Sequence, residues 1–556
     1  MPPLETIENF NTGWASSGVV GHLTFPPDAA YDVKNIEWHP RGAMSKREGF
    51  LSYNLSSTPI SGVMNLYPWK DKNGTDITFA FTTTSSGNLS ADVYSLALTA
   101  GSTTALTAQK LLSAESYANR ANLWNPNISA DEVHVTSYGG SAIAVAGVAG
   151  PPLMCSGVNT SAVPATSIFY SGAKYIEAWG NYLFLGNIIE DGVRQRSRIR
   201  WNLGAGSVWL SATSWPASYY IDVDADDGDE ITGMKLLKDF LVIFKRHKIF
   251  LVWYTGDATI FTYRRQSADI GCMAGRSIIQ KGEYLYFLGD HGFYRFDSES
   301  PVEISQKIKD QVIDNISHSL PSLCSSEVYD LHRQIWFAVN YTPFDDASES
   351  SDSIRRANAI FVYDYELKNW TLYDIRASSM ANCILDTSTD AQELILGHFL
   401  QTDTARKSCI SRFGEQTSDI FQNPIASHWV SKWLMAQDPN MNKRVLRTTI
   451  IADQEGVQTD NYSLNWELRE DWKATKYNFI DATAASGTVY LTGSSTSLSG
   501  ETVESNRTNY PMEIRIDNSR TLRAWQLKLS NSISGHPWTI HKIIFDGMMK
   551  GRTKVT

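Results

Sequence analysis

The stretch "SIIQKGEYLYFLGDHGFYRFD" (277–297) decides the fold. An apolar strand runs into a polar Lys-Gly-Glu turn. A second strand follows at Tyr284–Leu288, then the turn Gly-Asp-His-Gly, then a third strand at Phe293–Phe296. Aromatic and β-branched residues fill the strands, while Gly and Asp supply the turns. Short antiparallel strands joined by tight turns make a meander, the unit of a propeller blade.

The same design recurs on both sides. It appears in "YIEAWGNYLFLGN" (175–187), "ITGMKLLKDFLVIFK" (231–245), "SSEVYDLHRQIWFAVNY" (325–341), "NAIFVYDYELKNWTLYDI" (358–375) and "AQELILGHFL" (391–400), with "DITFAFTTT" (76–84) upstream. Starts at Tyr175, Ile231, Ser277, Ser325, Asn358 and Gln392 recur at an average of about 43 residues. That spacing lies within the roughly 40–50-residue period of propeller blades. In "DFLVIFKRHKIFLVWY" (239–254) the "KRHK" is a hairpin turn between two short strands. No run reaches the roughly 18 apolar residues a membrane helix needs, so no membrane-spanning segment is expected. Helical spacing is confined to 305–317, with apolar residues at Ile308, Val312, Ile313 and Ile316, and to a second expected helix over 105–119.

Near residue 425 the rhythm changes. Strands are expected at Arg444–Ala452, Tyr462–Leu468, Thr488–Leu491, Met512–Ile516, Ala524–Leu529 and Thr539–Phe545. That number of strands in so short a span suits a sandwich or barrel. The expected fold class is all-β: a β-propeller with an additional C-terminal β-sandwich or barrel-like domain. Residues 1–50 are read as an N-terminal extended segment leading into the propeller, and 51–424 as the propeller with an inserted loop at 342–357. Residues 425–556 are read as the sandwich-like platform.

With 556 residues, 42% hydrophobic and 12% aromatic, the chain has material for several packed cores. Its net charge of −10 argues against tight binding of phosphate backbones, which needs Lys and Arg to displace counterions. The five cysteines (Cys155, Cys272, Cys324, Cys383 and Cys409) are scattered and show no C-x-x-C, so buried free thiols are expected. "MPPLETIENFNTGWASSG" has neither the basic nor the apolar region of a signal peptide.

The chemistry-bearing stretch is "DVDADDGDEITG" (222–233). An EF-hand loop requires Gly at position 6 and Glu at position 12. Counting from Asp222 puts Asp227 and Gly233 there, and counting from Asp224 fails too. The loop formed by Asp222, Asp224, Asp226, Asp227, Asp229 and Glu230 is therefore read as a solvated acidic turn between blades and a candidate channel-facing or subunit-interface loop, with a looser oxygen site for a cation as the alternative. The inserted loop supplies a second acidic set, Asp345, Asp346, Glu349 and Asp352, as a candidate gate or partner-binding loop. No G-x-S-x-G, H-E-x-x-H, P-loop or repeated S-x-D-x-G-x-T-W box is present. No catalytic residue, cofactor or metal is expected, although a carboxylate pair brought together only in space leaves no trace in sequence. Trp370 in "VYDYELKNWTLYD" (362–374) is read as packing over a blade hairpin, with sugar stacking as the alternative. "MSKREGF" (44–50) and "QRSRIRWN" (195–202) are read as sources of salt bridges between blades or subunits.

Taken in order, these stretches resemble tail nozzle proteins (tail hub or tail tubular proteins) of short-tailed bacteriophages. "PPDAAYDVKNIEWHPRGAMSKREGF" (26–50) resembles their opening segment, which leads into a K/R-R-x-G-F-like turn. "AKYIEAWGNYLFLGN" followed by "SRIRWN" resembles a blade of that family, and "DEITGMKLLKDFLVIFKRHKIFLV" the next. "IGCMAGRSIIQKGEYLYFLGDHGFYRFD" resembles a third, through "IG" and L-G-x-x-G-x-Y-x-F. "NKRVLRTTI" (442–450) resembles the start of the C-terminal domain. Residues 342–357 and 486–510 depart from the pattern. The resemblance implies a homo-oligomer, a hexameric ring below the portal–adaptor (head-to-tail connector) complex of a virion tail, assembled in the host cytoplasm. Double-stranded DNA would pass non-specifically down its centre, with tail fibres or spikes on its outside. The other readings of such a chain are a receptor- or glycan-binding propeller and, third, a propeller glycoside hydrolase.

Overall fold

The computed structural model describes residues 3–16, 26, 28–55, 62–71, 73–83, 91–98, 105–112, 132–147, 150–157, 162–164, 170–204, 209–257, 260–319, 321–344, 357–384, 392–398, 410–414, 416–419, 423–436, 441–453, 462–470, 483–491 and 512–552. These form nine sheets, seven of them consecutive antiparallel meanders. The chain is an all-β propeller joined to a β-sandwich.

The first blade comprises Val63–Lys70, Asp76–Thr83, Ala91–Leu98 and Ala105–Leu112, with Asn54–Leu55 added in parallel at its edge. The second runs from His134 to Pro164, the third from Tyr170 to Asp222 and the fourth from Ile231 to Ser267. The fifth spans Ile279–Glu303 and the sixth Ser325–Tyr373. The seventh holds Ser379–Cys383, Glu393–Gly397 and Ile410–Phe413. First strands of neighbouring blades touch one another, with the 3-10 turn Gly275–Ser277 making the contact between blades four and five, and so surround the propeller axis. Ring closure is hydrogen-bonded: Ser379 Oγ accepts from the Leu66 amide at 2.9 Å, and Ser378 Oγ donates to the Val63 carbonyl at 2.5 Å. Apolar side chains fill the wedges between blades, such as Phe244 against Phe287 at 5.0 Å and Phe293 against Phe337 at 4.7 Å. Closure in a ring leaves no long free sheet edge.

The seventh blade takes its fourth strand from far upstream, since Phe50–Ser52 pairs with Ile410–Phe413. The segment before it is shared. Pro3–Ile7, Ile36–Trp38 and Met44–Lys46 join Thr539–Arg552, Met441–Ala452 and Met512–Leu522 in one sandwich sheet. Ala30–Lys34 joins Ser427–Ser431, Trp525–Asn531, Ser463–Glu470 and Thr483–Tyr490 in the other. The sandwich core runs without a break into blades five and six. Trp38, Trp429, Trp525 and Trp538 belong to the same buried cluster as Phe293, Phe337 and Trp370.

Two expectations need correction. The helix expected over 105–119 is a strand at Ala105–Leu112, paired with Ala91–Leu98, and 113–119 lie outside the described residues. An isolated helix of that length is marginal, and the first blade offers its backbone a ladder of partners instead. Asn358 and Gln392 do not start blades. Asn358 precedes the third strand of blade six, and Gln392 the second strand of blade seven. The insertion after Val339 separates two strands of one blade and so imitates a blade boundary. The other expected helix is present, as a 3-10 turn at Gln306–Ile308 continued by an α-helix at Lys309–Asn315. Trp370 is buried, and its indole N–H donates to the Ile304 carbonyl at 2.9 Å, so the packing reading of this residue holds.

At Gly49 the constraint is space. A Cβ there would stand 1.8 Å from the Ser418 carbonyl oxygen, where the chain enters the closing strand. Gly49→Ala should therefore lower unfolding free energy by about 1–3 kcal/mol or more. Urea denaturation reads this, and a change below about 0.5 kcal/mol, the usual surface range, would contradict the closure geometry.

Candidate functional site

The acidic loop links the last strand of blade three to the first of blade four. Asp222 ends its strand and holds Arg198 through two contacts of 2.7 Å. Asp224 (φ 46°) and Gly228 (φ 71°) adopt left-handed conformations on either side of the 3-10 turn Ala225–Asp227. That winding turns the carboxylates toward the "KRHK" hairpin of blade four. The Lys245 side chain is fully buried, and its Nζ donates to the Asp224 carbonyl at 2.8 Å, to Asp227 Oδ1 at 2.8 Å and to Ser197 Oγ at 3.3 Å. Lys248 Nζ bridges Asp224 Oδ2 at 2.9 Å and Asp227 Oδ2 at 2.8 Å. The His247 amide donates to Asp229 Oδ2 at 3.2 Å, and Arg194 holds Glu230 at 2.9 Å. Asp226 is exposed.

Burial opposes ionisation of Asp227, yet the hydrogen bonds from Lys245 and Lys248 outweigh it and hold its carboxyl below the usual range. The solvated-turn reading is corrected in one respect. Most of these acids are paired, and they clasp blade three to blade four. Ammonium groups take the place a cation would fill. Among the described residues no group of three or more His, Cys, Asp and Glu side chains is arranged to hold a metal ion. Asp345, Asp346, Glu349 and Asp352 lie outside the described residues.

The basic stretches go to internal pairs. In "QRSRIRWN", Arg198 and Arg200 both engage Glu190. In "MSKREGF", Lys46 Nζ donates to Asn531 Oδ1, the Ile533 carbonyl and the His536 carbonyl at 3.0–3.1 Å. Burial first, and then neighbouring Arg47, lower the Lys46 pKa to about 8. Arg47 forms a bidentate pair with Asp419 at 2.8 and 2.7 Å and also donates to Asn35 Oδ1 at 2.8 Å. The Lys46 contacts tie the two sandwich sheets together, and those of Arg47 join the sandwich to the chain beside the closing propeller strand.

Beside them opens a cleft of about 470 Å³ between the sixth-blade turn and the sandwich, lined by Glu37, His39, Ser45, Lys46, His332 and Arg333 among others. Domain junctions of this size are common ligand sites. Glu37 accepts from His332 Nδ1 at 2.5 Å, across the junction. Burial works against the His332 imidazolium, but Glu37 and then Glu48 outweigh it, and the pKa rises. Ser45 Oγ and His39 Nε2 meet at 2.8 Å in this cleft, and Ser411 Oγ and His398 Nε2 at 2.6 Å inside blade seven. Both are serine–histidine pairs, and the second ring nitrogen of His398 meets the Arg376 carbonyl at 2.8 Å.

The first strands of the blades carry further charges around the propeller axis. Glu132 meets His134 at 2.9 Å, and Glu177 meets Lys235 at 3.5 Å. Burial pushes the Glu327 carboxyl up to about 7, against the amides of Val328 and Asn382. No sequence motif marks these residues: Glu177 and Glu327 are single carboxylates within strands, and Glu132 lies just before one.

No family model matches the chain, and no curated protein matches it. Among solved structures the chain is similar to the Neurospora crassa Pan2 WD40 domain, at 7% identity and a TM-score of 0.32, covering 64% of this chain and 88% of that one. It is also similar to an exo-β-1,3-galactanase from Phanerochaete chrysosporium crystallised with galactose, at 8% identity and a TM-score of 0.24, covering 88% and 99%. A third is the extracellular domain of the putative hybrid two-component system BT4673 from B. thetaiotaomicron, at 10% identity and a TM-score of 0.26, covering 63% and 51%.

Two outcomes follow. EDTA should leave the thermal midpoint unchanged, whereas Lys245→Ala should cost about 1–3 kcal/mol, because Asp227 loses one buried donor while Lys248 still holds its other oxygen. A midpoint that falls with EDTA would restore the cation reading. His332 has a folded pKa above its unfolded value of about 6.5. Its stabilisation is therefore complete below about pH 6.5 and is lost as pH rises through the folded value. Thermal midpoints across that range should decline in the wild type relative to His332→Gln, and parallel curves would contradict the Glu37 link.

Proposed function

We propose that the chain is a structural component of a bacteriophage tail: one subunit of a hexameric nozzle ring below the portal–adaptor complex. The ring forms and gates the channel through which double-stranded DNA leaves, and it supports fibres or spikes. In this reading the chain is not an enzyme, and its place is the virion.

The observation that carries the proposal is where the nozzle-like stretches fall. "MSKREGF" supplies the sandwich strand Met44–Lys46, the Arg47 lock and the strand that closes the ring of blades. "LGDHGFYRF" is the central hairpin of blade five, whose Phe293 packs against Phe337 and Trp370. "NKRVLRTTI" lies in Met441–Ala452, paired on both sides within its sheet. Of these, "MSKREGF" sits at the joint, and Phe293 packs in the core that makes propeller and sandwich one body. Such a body suits a part that transmits load between a connector and fibres.

Charge supports the same reading. A conduit must not grip its cargo, and an acidic wall repels phosphate. Six copies at −10 carry 6 × −10, or about −60, formally. Salt screens that field beyond about 10 Å, so it acts at the wall itself.

Electron cryo-microscopy of the tail that natively contains the chain tests the proposal. Six copies around a shared axial pore are expected. Separate peripheral copies without a common pore would overturn it.

A further inference from the structure

One end of blades three and four carries an aromatic rim built on the buried ring of Phe261. Trp179 packs on Phe261 at 5.3 Å, Tyr182 at 5.1 Å and Tyr254 at 5.7 Å between ring centroids. Trp201 stands 5.1 Å from Phe261 and carries Tyr219 at 6.0 Å. Trp179, Tyr182 and Tyr219 are half-buried, whereas Tyr254 is 58% exposed. Their phenols converge. Partial burial, and then the neighbouring Tyr254 and Tyr219, raise the pKa of Tyr182. Leu203, 46% exposed, follows the blade-three strand that ends in Trp201, and Gly204 (φ 87°) lies against the Tyr182 ring.

Two of the three segments that build the rim carry no charge, and the third, the turn from Tyr254 to Phe261, carries the single exposed Asp257. The stretch "NLGAGSVWLSATSWPASYY" (202–220) contains no Asp, Glu, Lys or Arg, and neither does "AWGNYLFLGNII" (178–189), in a chain with 19% charged residues. Nucleic acid or an acidic peptide would call for Lys and Arg here. What remains is aromatic faces and neutral hydrogen-bonding groups: the phenols, the exposed Asn181, and the paired hydroxyls of Ser211 and Thr213 at 2.9 Å. A neutral sugar presents the matching chemistry, an apolar C–H face bounded by hydroxyls. Tyr and Trp suit such half-wet contacts because each joins an apolar body to a polar handle.

We propose that this rim binds a neutral saccharide chain, with sugar rings resting on Trp179 and Tyr254 and their hydroxyls meeting the phenols of Tyr182 and Tyr219. The site goes beyond the ring assembly and does not depend on it. Adhesion to a surface polysaccharide is the role it would give the chain.

The test is saturation-transfer NMR on the full-length protein with maltohexaose, cellohexaose, laminarihexaose and chitohexaose. Binding of at least one in the millimolar range is expected, weakened about tenfold by Tyr254→Ala and by Trp179→Ala. Val193→Thr, exposed at 59% on another turn, should leave it unchanged. Absence of binding to all four sugars would overturn the proposal, as would binding that Tyr254→Ala leaves intact. Sedimentation of the same variants separates a third outcome. Loss of self-association without sugar binding would make the rim a contact between copies, and that too overturns the proposal. None of these readings bears on whether the tail ring exists.

Discussion

The two bodies of this protein depend on one buried node. Asn35, at φ 57°, uses nearly every polar group it has. Its amide donates to the Leu372 carbonyl, and its side-chain nitrogen to the Ala426 carbonyl. Its side-chain oxygen accepts from Arg47 Nε and the Asp374 amide, and its carbonyl accepts from the Arg47 amide. Arg47 then reaches Asp419. One short segment is thereby tied to blade six, to the chain entering the sandwich and to the strand that closes the propeller. A buried charge pair of this kind adds little net stability against an apolar replacement. Its effect is geometric, because losing either partner strands the other in a site without water.

The same economy governs the acidic loop. Carboxylates placed this close repel one another unless something answers them. Here the answer comes from a turn of the next blade, Lys245 to Lys248, so the charge that looks like a metal loop is spent on inter-blade cohesion. A protein with a formal charge of −10 thus engages most of its densest acidic stretch in ion pairs with neighbouring strands.

The blade meander was legible because its signal is local: two-residue periodicity, aromatic strands and Gly/Asp turns within about twenty residues. Tyr284–Phe296 shows this directly. Long-range closure was not legible. Nothing near Phe50 announces that it completes a blade whose other strands begin at Ser379. Ala105–Leu112 shows the converse failure, a helix-compatible composition overridden by a waiting sheet partner. At the acidic loop the residues were visible but their partners were not. The "KRHK" turn was read as a turn, and its lysines point back across a blade boundary. The axial charges Glu132, Glu177 and Glu327 left no pattern at all, since each comes from a different blade.

Residues 35–52 lock propeller and sandwich into one body. Native-state hydrogen exchange reads it most directly. Amides of Ile36–Trp38, Met44–Lys46 and Phe50–Ser52 should exchange as slowly as the central strands Gln334–Val339 and Met441–Ala452, and open only with them. Fast exchange across 35–52 while both bodies stay protected would show the segment to be a loose linker and the two bodies to be independent.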